Sequence, residues 1–188
     1  MRKALIFLAI FVFLIVVGIA WYISGLNRIV RMDEQVNEAW AQIDTQLKRR
    51  SELIPDLVTT VKGYAKHERE VFTHIADARS ALAGAKTVVE KIKAARELEG
   101  ALGRLLAIVE RYPDLKANQT FLKLMDELAG TANRIAVARV RYNRAVKDFN
   151  AHIREVFGRF FAKRRGLAEP RTYFEVEKEE IEAPKVEF

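Results

Sequence analysis

Hydrophobic positions change their spacing along this chain, and the change divides it into parts. Between Ala4 and Asn27 there is no charged side chain, and from Ala4 to Ile23 only Gly18 and Tyr22 interrupt an apolar run. Twenty helical residues at about 1.5 Å each span roughly 30 Å, the hydrocarbon thickness of a bilayer. Trp21 and Tyr22 close the run, where amphipathic rings favour the membrane–water boundary. A cleaved signal peptide is the rival reading, with Arg2 and Lys3 as its basic start and Gly18-Ile19-Ala20 as a small-x-small site. The run is longer than the apolar stretch of a signal peptide and continues past that site, which favours a retained anchor. Two basic residues precede the span and Arg28 and Arg31 follow it closely, so charge bias leaves the orientation open.

Beyond the anchor the spacing becomes 3/4. Ile29, Met32, Val36, Trp40, Ile43, Leu47, Ile54, Leu57, Val61 and Tyr64 form one stripe, with Arg50 where an apolar residue is missing. Pro55 lies inside it and predicts a kink, because its ring clashes with the carbonyl of Ser51 and its nitrogen carries no hydrogen. A second helix carries Val71, Ile75, Ala78 and Leu82 up to Gly84. A third runs from Val88 through Ile92, Ala95, Leu98, Leu102, Leu105 and Val109 to Tyr112, before Pro113. The fourth stripe is the longest: Phe121, Met125, Leu128, Ala132, Ile135, Arg139, Tyr142, Val146, Phe149, Ile153, Val156 and Phe160, with Asn118 as its N-cap.

Element lengths then constrain topology. A last helix over 118–163 would be on the order of 70 Å long, against about 39 Å for the third. The stripe of 28–63 finds neighbours throughout if the chain runs up along 28–63, down along 67–83, up along 87–112 and down along 118–163. The first reversal falls near Gly63–Lys66 or at Ser51 before Pro55. The expected architecture is all-α: an N-terminal transmembrane helix (1–27), a long antiparallel up-and-down four-helix bundle (28–165) with Trp40 and Tyr142 as core anchors, and an acidic, poorly ordered tail (166–188). The last helix returns to the membrane, bringing Phe157, Phe160 and Phe161, interleaved with Arg159, Lys163, Arg164 and Arg165, to its surface. Near an anionic surface each basic residue is worth about 1 kcal/mol.

Composition adds exclusions. With 188 residues and half of them hydrophobic, the chain can bury a core; with no cysteine, it has no disulfide, thiolate metal site or thiol nucleophile. Nine glycines and four prolines are few for a turn-rich β fold. The net charge of +7 is unevenly spread. Residues 169–188 hold seven acidic side chains against Arg171, Lys178 and Lys185, whereas Arg134 to Arg165 holds ten basic and two acidic ones.

Catalytic chemistry finds little support. His67-Glu68 starts like a zinc-protease motif, but the next histidine, His74, comes seven residues later instead of four. His67, Glu70 and His74 would share a helical face and could in principle hold a metal; the simpler reading is a solvated face with an i,i+4 pair. Ser24, Ser51 and Ser80 sit in no nucleophile elbow, and Gly100 and Gly103 follow no strand. No catalytic residue, cofactor site or metal site is therefore assigned. The basic last helix could neutralise nucleic-acid phosphates, yet its aromatics occupy core positions, so a lipid surface or an acidic protein partner is the more economical reading and no nucleic acid is expected. Arg50, Glu68 and Arg139 stand where the stripes expect apolar side chains; they are either exposed by local shifts or members of a polar layer that fixes helix register.

Several segments resemble one family. Ala39-Trp40-Ala41-Gln42-Ile43-Asp44, Gln46 to Arg50, Leu53-Ile54-Pro55-Asp56-Leu57-Val58 and Val61 to Ala65 with His67-Glu68 are similar to the hallmark of the LemA family. So are Ala101 to Leu106, Tyr112 to Asn118, Asn133-Arg134-Ile135-Ala136 with Ala138-Arg139, and Tyr142-Asn143. The likeness is collinear over about 26–155. Ala132 replaces the usual glutamate before Asn-Arg-Ile, and Val156 to Phe161 replaces a Phe-Pro-x-Asn element. Tyr173-Phe174-Glu175 resembles the family's closing motif. The resemblance implies a bacterial or archaeal membrane protein with an amino-terminal membrane helix, an antiparallel bundle and no established catalytic residues. Relatives include a magnetosome-associated branch, and the family's frequent gene neighbours are membrane peptidases and TPM-domain proteins. Family descriptions favour an external amino terminus and a cytoplasmic bundle. The expected function is a non-enzymatic, single-pass scaffold or adaptor of the cell membrane, in membrane organisation or protein quality control, assembling with itself or with other membrane proteins. The alternatives are a metal-binding protein or metal-assisted hydrolase using His67, Glu70 and His74, and a receptor-like sensor.

Overall fold

The computed structural model describes residues 2–174; the acidic positions from 175 onward, and what was expected of them, lie outside the described residues. The described chain is helical: α1 (Arg2–Lys62), α2 (Arg69–Gly84), α3 (Val88–Val109), the single turn α4 (Pro113–Lys116), α5 (Gln119–His152) and α6 (Val156–Arg165). It divides into two compact units, 40–140 with Phe174, and 2–39 with 141–173, so the divisions fall inside α1 and α5.

Within 40–140, cross-helix contacts read out an up-down-up-down bundle. Lys62 lies over the Phe72 ring and Arg79 reaches Ser51, so α2 descends beside α1. Asp44 pairs with Lys91 and Arg50 with Glu99, which sets α3 parallel to α1. Gln46 accepts from Arg134 and Tyr64 from Asn118, which sets α5 antiparallel to it. Ile43, Leu47, Ile54, Leu57, Val61, Ile75, Leu98, Leu105 and Ile135 are buried between these helices, at the positions the 3/4 spacing marks. The first reversal lies at 63–68, with Ala65 fully buried in the turn, and not at Ser51.

Helix α1 continues through Pro55, and its neighbour repairs the damage. The Ser51 carbonyl, which has no N–H to receive from position 55, accepts from Nε of Arg79 at 3.1 Å. Capping follows sequence chemistry as well. Thr87 and Glu90 form a reciprocal capping box at the start of α3, and Asn118 Oδ1 accepts from the amides of Thr120 and Phe121 to open α5.

Within 2–39 and 141–173, the expected uninterrupted last helix is broken. α5 ends at His152, the chain turns through 153–155, and α6 starts afresh after Glu155 in an extended conformation (ψ 152°). Close packing accompanies the break: a Cβ on Gly158 would stand 1.9 Å from the His152 carbonyl oxygen, so only glycine admits this approach. The Glu155 carboxylate meets Nδ1 of His152 at 2.8 Å across the turn. The buried face also rotates. Val156 and Phe160, expected in the core, are exposed, while Gly158, Phe161 and Ala162 are buried. After α6 the chain has no regular secondary structure, and Arg171 and Thr172 return to lie against α1 and α5.

Candidate membrane interface

Residues 5–23 of α1 place bulky apolar side chains on every face, and those described are exposed. A helix apolar all round is stable only where its whole circumference leaves water. By length and composition this stretch can cross a membrane, and it is the one candidate span among the described residues.

At its C-terminal end the stretch meets α6. The Trp21 ring lies 5.3 Å from that of Phe157 and 5.2 Å from that of Phe161, both edge-on; Tyr22 lies 6.4 Å from Phe160 and 5.9 Å from Phe161. Phe160 and Phe161 contact each other at 5.3 Å. Such edge-to-face pairs are each worth about 0.5–1.5 kcal/mol beyond the area they bury. Phe161 packs directly on the α1 backbone, since a Cβ on Gly25 would lie 2.3 Å from its ring. Phe161 is the buried member of the cluster. Val156 is 83% exposed and Phe157 63%, so α6 presents an apolar edge beside the end of the span.

Basic residues frame that edge. Lys163, Arg164 and Arg165 occupy the last turn of α6, where cations also favour the helix carbonyl end, and the Arg164 guanidinium sits 5.5 Å above the Phe160 ring. Arg159 is exposed one turn earlier. Of the residues singled out for the membrane surface, Trp21, Tyr22, Phe157, Phe160 and Phe161 form this one aromatic cluster, with Arg164 seated on it.

Arg50, Glu68 and Arg139 each keep a separate partner. Arg50 approaches Glu99 at 3.9 Å, with its own Nε buried and lacking a hydrogen-bond acceptor among the described residues. Glu68, in the turn before α2, pairs with Arg111 at 2.8 Å, and Arg139 lies 4.5 Å over the Phe174 ring. The shared helical face of His67, Glu70 and His74 does not form. α2 begins only at Arg69, which leaves His67 in the preceding turn, while Glu70 and His74 make an exposed pair at 3.9 Å. No group of three or more histidine or acidic side chains among the described residues is arranged to hold a metal ion.

Sequence reasoning passed over Asp33, Asn150 and Arg171. The 29-33-36 spacing puts Asp33 on the apolar stripe, a carboxylate at a core position, and that was the available clue. Asp33 is buried and pairs with the Arg171 guanidinium, whose Nε lies 3.0 Å from the carboxylate. Tyr142, also buried, donates to the Thr172 carbonyl at 2.8 Å; burial raises its phenol above the ordinary value, and the Arg171 charge opposes that shift.

The sequence model of the LemA family matches residues 39–188, four-fifths of the chain. The chain belongs to the LemA family. Among curated relatives of this LemA protein, Magnetosome protein MamQ 2 of Paramagnetospirillum magneticum is 28% identical over 165 residues, covering 74% of this chain and 61% of the relative. Protein LemA of Metamycoplasma hominis is 27% identical over 152 residues, with 78% and 68% covered. Magnetosome protein MamQ of Magnetospirillum gryphiswaldense is 28% identical over 172 residues, with 78% and 63% covered. The chain thus spans about three-fifths of the length of the MamQ relatives. Neither family name is that of an enzyme.

Proposed function

We propose that this LemA protein is a non-enzymatic, single-pass protein of the cell membrane whose helical bundle serves as a scaffold or adaptor in membrane organisation or membrane-protein quality control. The observation that carries the membrane part of the reading is the aromatic cluster joining Trp21 and Tyr22 to Phe157, Phe160 and Phe161. A helix that ends in exposed aromatics and three consecutive cations, beside the end of an apolar span, suits the headgroup layer of an anionic membrane. The naming of relatives as magnetosome proteins supports a role tied to a membrane compartment. A scaffold also requires little conventional site chemistry, which accords with ionisable groups engaged in helix-to-helix pairing.

The test uses the full chain extracted from a membrane of mixed lipids. Quantifying the lipids retained on the purified protein should show anionic species enriched over their bulk fraction. The triple variant Lys163→Gln, Arg164→Gln, Arg165→Gln should lose that enrichment while keeping its helicity. Bulk composition around the unaltered chain would remove anionic lipid from this reading.

A further inference from the structure

Residues 171–173 lie along α5 because polar side chains of that helix hold their main chain. The Asn150 amide accepts from the Arg171 N–H at 2.8 Å and donates to its carbonyl at 2.9 Å, and Tyr142 donates to the Thr172 carbonyl. Tyr173 follows directly. Between it and Asn143, Arg144, Lys147 and Asp148 of α5 lies a pocket of about 440 Å³. That volume is within the range of small-molecule sites and exceeds what a bare anion fills. Arg144 and Lys147 are exposed, and neither side chain has a hydrogen-bond or ion-pair partner among the described residues. Asp148 stands four residues after Arg144, the spacing at which helical ion pairs close, yet the two do not pair. Both charges therefore remain available to a ligand.

These groups select a ligand. A guanidinium fork, an ammonium and the Tyr173 phenol offer donors to a tetrahedral anion, and phosphate accepts several charge-assisted bonds at once. Asp148 repels an anion that presents nothing else, but it accepts from a hydroxyl or ammonium group on the same molecule. We infer that the pocket between Tyr173 and α5 is a binding site for a soluble phosphate ester that carries such a donor, its phosphate held by Arg144 and Lys147 and its donor by Asp148. Height distinguishes a soluble source from a lipid headgroup. Asp33, which pairs with Arg171, stands ten residues beyond Ile23, where the apolar run ends, or about 15 Å of helix. Arg144 and Lys147 lie six and three residues farther from the span along α5 than Asn150, about another 5–9 Å. With the apolar run in a bilayer, the pocket stands about 20 Å outside the hydrocarbon, whereas headgroups occupy only about 5–8 Å on each side.

Equilibrium dialysis of radiolabelled glycerol phosphate against the full chain, held in nanodiscs of zwitterionic lipid, tests this. Binding should saturate at one ligand per chain. Arg144→Gln and Lys147→Gln should each weaken it on the order of tenfold with helicity unchanged. Arg154→Gln, in the turn after α5 and outside the pocket, should change it by less than about twofold. Asp148→Asn separates a built site from a merely basic surface. It removes the repulsion that inorganic phosphate meets, so inorganic phosphate should bind more tightly, while glycerol phosphate should lose its advantage over it. Uptake that never saturates, or equal losses in Arg154→Gln and Arg144→Gln, would reduce the pocket to diffuse positive charge and overturn the inference. Displacement of the probe once the nanodiscs contain anionic lipid would give the pocket to a headgroup and overturn the soluble source.

Discussion

At the start of α3, the Thr87 hydroxyl accepts from the Glu90 amide while the Glu90 carboxylate accepts from the amides of Lys86 and Thr87. Thr87→Ala removes one half of this box and should lower stability to urea by about 1 kcal/mol. The bonds from the Lys86 and Thr87 amides hold the Glu90 carboxyl below its ordinary 4.5. A depressed carboxyl stabilises the fold above its ordinary value, and that contribution is lost as pH falls through the lowered one. Hydrogen-exchange protection factors at the first turn of α3, which remove the intrinsic pH dependence of exchange, should therefore fall in acid, below about 4.5, in the unaltered chain and far less in Glu90→Gln. Tyr142 has the opposite dependence. Its phenol is raised by burial, so its contribution holds below the ordinary value of 10.0 and is lost as pH rises through the raised one. Alkaline melting should show a loss of stability above about 10 that Tyr142→Phe abolishes, along with its bond to Thr172. A loss of equal size in the phenylalanine variant would contradict this.

Helices α1, α2, α3 and α5 were legible from apolar spacing because each buries one stripe against its neighbours, and spacing records burial. The break at 153–155 was not legible, for the stripe Phe149, Ile153, Val156, Phe160 continues through it. The deciding contact, Gly158 against the His152 carbonyl, involves a residue with no side chain to contribute to any pattern. Nor does spacing reveal how Pro55 is tolerated in α1, since Arg79 belongs to another helix. A double-mutant cycle measures that repair. With Pro55 present, Arg79→Ala leaves the Ser51 carbonyl without this donor and should cost about 1 kcal/mol. In Pro55→Ala the restored amide serves Ser51, and the same change should cost close to nothing. Equal costs in the two backgrounds would mean that Arg79 acts through other contacts.

Taken over the whole chain, uneven composition proved more informative than its totals. Half the residues are hydrophobic, but this half comprises a span for lipid and stripes for a protein core, and the positive excess concentrates between Arg134 and Arg165. The aromatic cluster was legible in part: Trp21 and Tyr22 stand where a span ends, and Phe157, Phe160 and Phe161 are interleaved with cations. Which of those phenylalanines faces inward was not, because the turn at 153–155 rotates α6 and exposes Val156 and Phe157 while burying Phe161. The pairing of Asp33 with Arg171 escaped spacing altogether. Irregular segments held by main-chain bonds leave no periodic trace, and an aspartate on an apolar stripe was the single hint. The central claim, that α6 lies in the membrane surface beside the end of the span, is tested most directly by depth. With no native cysteine, Val156→Cys accepts one fluorophore, and the labelled full chain can be reconstituted into nanodiscs containing lipids brominated on their acyl chains. The label should be quenched, more strongly with anionic than with zwitterionic lipid, while the same label at Val89 of α3 is not; equal, negligible quenching at both positions would contradict the account.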